Sequence, residues 1–190
     1  MEVLATEIPD VKIVIPKVFG DARGYFFESW NQAKFEECGI ACSWVQDNES
    51  KSRFGVLRGL HYQAAPYTQA KLVRVIQGAV LDVTVDIRRG SPTFGKYVAV
   101  ELSSENKYQL FVPRGFAHGF AVLSDEALFA YKCDNRYMPS HERGIAFDDP
   151  VLGIDWKVPP ENYILSEKDT KNPLFKDAEL FDYTAKEYLR

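Results

Sequence analysis

A histidine within an apolar segment is the first candidate for chemistry in this sequence. His61 lies in residues 55–63, GVLRGLHYQ, where Val, Leu and Tyr favour a β-strand. Imidazole is well suited to accept a proton near neutral pH, so His61 is a candidate general base; the simpler interpretation is a hydrogen-bonded core histidine. Arg58 precedes His61 by three residues and would face the other side of a regular strand. A site that uses both side chains therefore requires a bulge at Gly59.

Lys71 and Tyr131 are polar residues in two other apolar segments. Lys71 shares a strand face with Val73 and Val75, and Tyr131 shares a face with Phe129, so both are predicted to point inward. In a barrel that is open at one mouth, such groups can converge on a pocket. A histidine and a tyrosine there could remove and return a proton, with Lys71 stabilising a developing oxyanion.

A second histidine, His118, follows a turn in residues 113–120, PRGFAHGF. The pattern Pro-x-Gly-x-x-His matches the second half of the signature of cupins, which are small double-sheet barrels. In metal-binding cupins the first half supplies His-x-His, but here the corresponding residues are His61-Tyr62-Gln63. Since the two histidines alone would leave a metal short of its usual three or four protein ligands, no metal is expected.

Basic and polar residues elsewhere are suited to bind a nucleotide. Guanidinium and ammonium groups bind phosphate oxygens, and the candidates for such a clamp are Arg23, Arg58, Lys71 and Lys168. For each arginine alone, a solvated surface charge is the competing interpretation. The donors and acceptors that could read a base edge are Gln46, Asp47, Asn48 and Glu28. The ring of Phe26 could stack on the base.

The composition limits the class of protein. With 190 residues, of which 46% are apolar and 26% charged, the chain is expected to form a single soluble globular domain over residues 1–190. No apolar run approaches the roughly 20 residues that span a bilayer, and the first residues do not resemble an export signal. No membrane association is therefore expected.

Charge and cysteine content exclude further classes. The net charge of −4, without a basic run, gives no general attraction to nucleic acid. Cys38, Cys42 and Cys133 fit no zinc or redox spacing, so reduced thiols and a cytoplasmic location are expected.

Short strands separated by turns dominate the predicted secondary structure. Residues 80–87 alternate strictly, and further strands are predicted at 71–76, 96–102, 107–112, 117–123 and 126–133. Asn31 is a predicted N-cap for a helix over residues 32–38 that ends at Gly39, and a small helix is predicted at 183–189. Strands without alternating helices indicate an antiparallel sandwich or barrel.

Seven stretches together resemble one known family. They are residues 21–28, 46–48, 56–63, 71–74, 91–95, 113–120 and 166–169, in the order of the family's motifs. The chain resembles the dTDP-4-dehydrorhamnose 3,5-epimerases, which invert two centres of a dTDP-linked 4-keto-6-deoxyhexose. The resemblance implies an all-β, cupin-type double-sheet jelly roll with a few short helices. It also implies a homodimer that works without metal or cofactor. The tail from about Asp177 onward matches no family pattern.

The resemblance also assigns residue roles. It implies that His61 is the base, that Asp169 orients it, and that Tyr131 is the acid on the opposite face of the sugar. Lys71 and His118 would lie near the substrate carbonyl. The remaining binding residues that it implies are Arg23 and Arg58 for the diphosphate or sugar, Phe26, Glu28, Gln46 and Asn48 for the thymidine, and Glu142 and Lys168.

Other functions stay open on the sequence alone. A single-centre epimerase or a ketoisomerase on the same scaffold would differ only in pocket geometry. A non-catalytic module that binds nucleotide sugars or carbohydrates would not need an inward His, Lys and Tyr with an orienting Asp. A metal-dependent cupin oxygenase would be recognised by metal analysis of the purified protein.

Overall fold

The computed structural model describes residues 1–189, and most of its regular structure is β-strand. The strands are β1 (Glu2–Ala5), β2 (Lys12–Ile15), β3 (Phe19–Asp21), β4 (Gly24–Phe26), β5 (Gln46–Arg53), β6 (Leu57–Gln63), β7 (Lys71–Gln77), β8 (Ala79–Asp86), β9 (Arg88–Arg89), β10 (Tyr97–Ser103), β11 (Gln109–Val112), β12 (Phe116–Val122), β13 (Glu126–Cys133), β14 (Glu142–Gly144) and β15 (Phe181–Asp182). An α-helix, α1, spans Gln32–Glu37. Short 3-10 turns lie at Pro139–His141, Pro160–Asn162, Asp169–Lys171, Phe175–Asp177 and Glu187–Leu189.

Two antiparallel sheets pack face to face. One has the order β1-β2-β11-β7-β13-β5 and the other the order β10-β8-β12-β6-β14. Side chains from both sheets, including Val75, Val80, Val98, Phe120 and Phe129, form one buried cluster between them. This is the double-sheet jelly roll of cupin type that the sequence predicts.

Strand β8 is buried on both faces. Leu81, Val83 and Val85, with Ile87 just after the strand, pack beneath the C-terminal part of the chain. That part contributes Trp156, Phe175, Phe181 and Tyr188 to the same apolar cluster. On the other face of β8, Asp82, Thr84 and Asp86 are fully buried as well. The alternation predicted for this strand is therefore present, but its polar face lies inside the protein rather than in solvent.

Helix α1 confirms its sequence prediction to within one residue. The side chain of Asn31 accepts a hydrogen bond from the Lys34 backbone N–H, and Gly39 follows the helix with φ +74°. Phe35 packs with Leu72 and other side chains on the outer face of the six-stranded sheet. No helix among residues 1–189 is long and apolar enough to cross a membrane.

The small helix predicted at residues 183–189 is present only in part, as a 3-10 helix. This segment follows the short strand β15, which pairs in parallel with β9, and only Glu187–Leu189 forms a 3-10 turn. The Phe181 and Tyr183 backbone N–H groups donate to the carbonyls of Ile87 and Arg89. Backbone hydrogen bonds to residues distant in sequence and the burial of Tyr188 fix the conformation of this segment. Its weak helical pattern therefore does not decide its structure.

Candidate active site

His61 and Asp169 form a short polar contact at the site. His61 Nε2 lies 2.5 Å from Asp169 Oδ1, and Ser166 Oγ donates to Asp169 Oδ2 at 2.8 Å. Asp169 is almost fully buried, whereas 29% of the His61 side chain is exposed. Burial alone would raise the pKa of Asp169, but the hydrogen bonds from His61 and Ser166 outweigh it and hold that pKa below its usual range. The structure thus brings a carboxylate against an accessible imidazole.

The strand that carries His61 is irregular at Gly59, as predicted. The pairing of β12 with β6 shifts between His118, opposite His61, and Phe120, opposite Arg58. Gly59 has φ +130°, and a Cβ there would lie 2.6 Å from the Cα of Gly119. Glycine is therefore required where the two strands approach each other.

A cavity of about 330 Å³ lies beside His61. Its walls include Asn48, His61, Gln63, Lys71, Tyr131 and Glu142. His61 belongs to the five-stranded sheet, whereas Lys71 and Tyr131 belong to the six-stranded sheet. The imidazole and the phenol thus reach the same cavity from opposing sheets.

Burial shifts the pKa values of Lys71 and Tyr131, the two polar groups on the six-stranded sheet, in opposite directions. It lowers the pKa of Lys71, although the nearby Cys133, Asp82 and Glu142 partly oppose the effect. It raises the pKa of Tyr131, against a smaller opposing effect of the Arg58 charge. At neutral pH the phenol is a proton donor, and Lys71 releases its proton more readily than a free lysine does.

A second histidine–carboxylate pair lies behind the cavity. His118 Nε2 is 2.9 Å from Asp82 Oδ2, and both side chains are buried. Burial lowers the pKa of His118, and the charge of Lys71 acts in the same direction, so the imidazole is neutral despite the opposing carboxylate. Sequence reasoning missed Asp82 as a site residue; the polar face of the alternating strand β8 was the available signal.

Polar contacts also define the mouth of the cavity. Lys168 Nζ lies 2.5 Å from Glu142 Oε2, and the Tyr137 hydroxyl donates to the same carboxylate. The bond to Glu142 raises the pKa of Tyr137 to about 12. The Tyr137 backbone N–H donates to Gln46 Oε1 at 2.9 Å, and Gln46 Nε2 donates to Asn48 Oδ1 at 3.0 Å. Tyr137 is a cavity residue that the sequence analysis did not single out, since it lies in a loop without a motif.

The remaining predicted binding residues lie elsewhere on this chain. Arg23 is highly exposed on the β3–β4 hairpin and pairs with Asp21 at 2.6 Å. Phe26 on the same hairpin is 69% exposed, and Glu28 pairs with Lys34 at 2.7 Å. Arg58 is exposed and donates to Ser52 Oγ at 3.2 Å. The described chain therefore does not gather Arg23, Phe26 and Glu28 around the His61 cavity, and Arg58 acts on Tyr131 by its charge without lining the cavity.

Among residues 1–189, no group of three or more His, Cys, Asp or Glu side chains is arranged to hold a metal ion. The absence of a cofactor stays a prediction, which metal analysis of the purified protein would test.

Comparison with known proteins gives one consistent result. The family model described as dTDP-4-dehydrorhamnose 3,5-epimerase matches residues 5–177. A dTDP-4-dehydrorhamnose 3,5-epimerase from Shigella flexneri is 59% identical over 182 residues, which cover 95% of this chain and 99% of that protein.

Solved structures agree with the sequence relatives. A dTDP-6-deoxy-D-glucose-3,5-epimerase from Legionella pneumophila, in complex with dTDP-4-keto-L-rhamnose, superimposes with a TM-score of 0.93. It is 50% identical and covers 96% of this chain and 98% of its own. A 3'-monoepimerase from Streptomyces bikiniensis, in complex with dTDP-quinovose, has a TM-score of 0.88 at 31% identity, over 98% of this chain and 99% of its own. This chain belongs to the dTDP-4-dehydrorhamnose 3,5-epimerase family.

Proposed function

We propose that this protein converts dTDP-4-dehydro-6-deoxy-D-glucose to dTDP-4-dehydro-L-rhamnose by inverting carbons 3 and 5. The observation that carries the proposal is that His61 and Tyr131 line one cavity from opposing sheets. A sugar ring between them has a base on one face and an acid on the other, which is what inversion of a carbon centre requires.

One site can serve both inversions. Carbons 3 and 5 both flank the ketone at carbon 4, so removal of either proton gives an enolate with its negative charge on the same oxygen. The ammonium of Lys71 is suited to stabilise that oxygen, and the neutral His118 lies in the same buried polar region. Each acid or base step typically contributes about 10²–10⁴-fold to the rate.

His61 is the proposed base, and Asp169 positions it. An Nε2–H that donates to Asp169 leaves Nδ1 free to accept the substrate proton. The ionised carboxylate then stabilises the imidazolium that forms, as in the triads of hydrolases. The protonated phenol of Tyr131 returns a proton to the opposite face of the ring.

The nucleotide end of the substrate requires a second protomer in this proposal. Gln46, Asn48, Glu142 and Lys168 lie at or beside the cavity, whereas Arg23, Phe26 and Glu28 do not. The β3–β4 hairpin is exposed and carries the apolar side chains of Phe19, Tyr25 and Phe26. A homodimer in which this hairpin covers the partner's cavity would complete the clamp that the sequence predicts.

Three free thiols also support a reducing, cytoplasmic location.

The experiment that tests the activity is NMR of the purified protein with dTDP-4-dehydro-6-deoxy-D-glucose in deuterated water. We expect solvent deuterium at both carbon 3 and carbon 5, in a product that a 4-keto reductase accepts. Deuterium at one carbon alone would instead assign the single-centre activity of the monoepimerase relative. Deuterium at neither carbon would contradict catalysis and favour a binding module.

The dimer has its own test. Light scattering is expected to give twice the mass of the 21.6 kDa chain. Arg23→Ala and His61→Ala, each with little activity alone, should regain a fraction of the wild-type rate when co-expressed, because a mixed dimer then contains one intact site. A monomer, or no regain, would contradict a shared site.

A further inference from the structure

Strands β6 and β14 present alternate residues to the cavity and to the C-terminal segment. In their antiparallel register, Gln63 lies opposite Glu142, and Tyr62 lies opposite Arg143. His61, Gln63 and Glu142 line the cavity. Tyr62 also borders the cavity, but its hydroxyl and Arg143 Nε reach Glu179 on the reverse side of the same two strands. Glu179 thus contacts both strands from behind.

The two contacts with Glu179 are of different kinds. The Tyr62 hydroxyl donates to the backbone carbonyl of Glu179, and Arg143 Nε donates to its carboxylate at 2.7 Å. Tyr62 is 6% exposed and packs edge-on against the Phe181 ring, with 5.9 Å between the ring centres. Burial raises the pKa of Tyr62, so its phenol stays protonated and remains a donor.

The segment that bears Glu179 is itself fixed on both sides. Ala178 and Phe181 belong to the buried cluster over the five-stranded sheet, and β15 pairs with β9. Further along, Thr68 Oγ1 donates to the Tyr188 carbonyl at 2.7 Å, and the Tyr188 ring lies 5.7 Å from the Arg88 guanidinium. Because these contacts restrain the segment, the backbone carbonyl of Glu179 is a fixed attachment point for Tyr62, although the Glu179 side chain is exposed.

We propose that Tyr62, through its bond to the Glu179 carbonyl, is a positioning residue that holds the His61 imidazole against Asp169. This inference rests on the proposed function and extends it, since it gives a role to residues 178–189, which lie beyond the part matched by the family model. Tyr62 follows His61 directly in β6, so a shift of its backbone moves the imidazole. Misplacement of a catalytic group by about 1 Å can cost on the order of 10²-fold in rate.

The test compares two variants that each remove one hydroxyl. Tyr62→Phe keeps the ring packing on Phe181 but loses the bond to Glu179. The control, Tyr183→Phe, keeps the ring 5.2 Å from Arg88 and lies in the same segment. For Tyr62→Phe we expect kcat for deuterium exchange to fall by roughly tenfold, with KM changed less than about twofold, because the nucleotide contacts are untouched. The control, Tyr183→Phe, should leave kcat and KM unchanged.

A second readout does not depend on turnover. The proton that His61 shares with Asp169 should give a far-downfield NMR signal in the wild type, assigned by its loss in Asp169→Asn. In Tyr62→Phe we expect this signal to broaden or move upfield, whereas Tyr183→Phe should leave it in place. An unchanged signal in Tyr62→Phe would overturn the proposal, whatever the change in kcat. An equal loss of kcat in both variants would do the same, since it would indicate general destabilisation.

The two readouts separate this inference from the proposed function. If the wild type exchanges no deuterium, the proposed function fails, but the NMR signal still tests the link between Tyr62 and His61. If the wild type is active and the downfield NMR signal is unchanged in Tyr62→Phe, only the positioning role fails.

Discussion

The ammonium of Lys71 lies 5.9 Å from the centre of the Tyr131 ring, and burial moves the pKa values of the two groups in opposite directions. Burial disfavours whichever form is charged, which is the protonated form of lysine and the deprotonated form of tyrosine. Raising the pH therefore removes the Lys71 charge at a lower pH than in a free lysine, and it ionises Tyr131 at a higher pH than in a free tyrosine. The oxyanion stabiliser is thus the group that burial makes more sensitive to alkaline conditions.

The alkaline limb of the pH–rate profile should accordingly report Lys71. We expect kcat to fall at a pH below about 10.4, the pKa of a free lysine, as the ammonium is lost. In Lys71→Arg the guanidinium stays charged, so the limb should move to higher pH even though the rate at neutral pH is reduced. Lys132→Arg, which alters an ion pair with Asp47 near the cavity, is the control and should keep the wild-type profile. A limb that stays in place in Lys71→Arg would remove Lys71 from this role.

Loss of the carboxylate beside His61 should reduce catalysis without removing substrate binding. Asp169→Asn cannot stabilise the imidazolium and can hold the ring in the wrong tautomer, a change that costs up to about 10⁴-fold in hydrolase triads. We expect kcat to fall by at least about 10²-fold while dTDP affinity, measured by calorimetry, is unchanged. Glu167→Gln is the matched control, because Glu167 is exposed and pairs only with Lys171 among the ion pairs described. Near-normal turnover by Asp169→Asn would show that His61 needs no orienting carboxylate.

Removal of the Tyr131 hydroxyl should separate proton removal from inversion. In Tyr131→Phe, His61 can still take a proton and return deuterium to the same face, so exchange without a change of configuration is expected. His61→Ala should abolish exchange at both carbons. Tyr163→Phe, whose ring packs on Phe147 and does not line the cavity, serves as the control. NMR distinguishes the outcomes, and normal yields of inverted product from Tyr131→Phe would exclude the phenol as the acid.

The sequence predicts most of the fold because hydrophobic alternation and turn residues are local signals. Strand β13 lies at the predicted residues, and α1 is marked by Asn31 and Gly39. Strand β5, QDNESKSR, carries no such signal, because its residues are polar and its structure comes from pairing with β13. The C-terminal segment is similar, since its backbone partners are distant in sequence.

The candidate site likewise contains residues that local sequence signals reveal and residues that depend on distant partners. His61, Lys71 and Tyr131 were found because they are polar residues in apolar strands, and the structure places all three at one cavity. Asp169 came only from the family resemblance, because nothing in its local sequence links it to a histidine 108 residues away. The bond from Tyr62 to Glu179 had no sequence signal at all, since it joins a side chain to a backbone carbonyl.

The stretch SPTFG, residues 91–95, belongs to the family pattern but supports the fold rather than the cavity. Ser91 and Thr93 each donate to Asp86 Oδ2 at 2.6 Å, and Arg88 donates to both Asp86 oxygens at 2.8 Å. Phe94 packs on Phe175 with 5.2 Å between ring centres. Asp86 is fully buried, so its charge depends on these donors.

Replacement of Asp86 should therefore destabilise the protein in a pH-dependent way. Burial raises the pKa of Asp86, but the bonds from Arg88, Ser91 and Thr93 outweigh it and hold the pKa below its usual range. A depressed carboxylate stabilises the fold above about pH 3.9, and that contribution is lost as the pH falls through the folded-state pKa. We expect Asp86→Asn to lower the free energy of unfolding in urea by about 3 kcal/mol at pH 7, and by progressively less below about pH 4. Asp148→Asn, at an exposed position, should change it by less than about 0.5 kcal/mol. A loss in Asp86→Asn that is the same at pH 7 and pH 3 would mean that the carboxylate charge does not contribute.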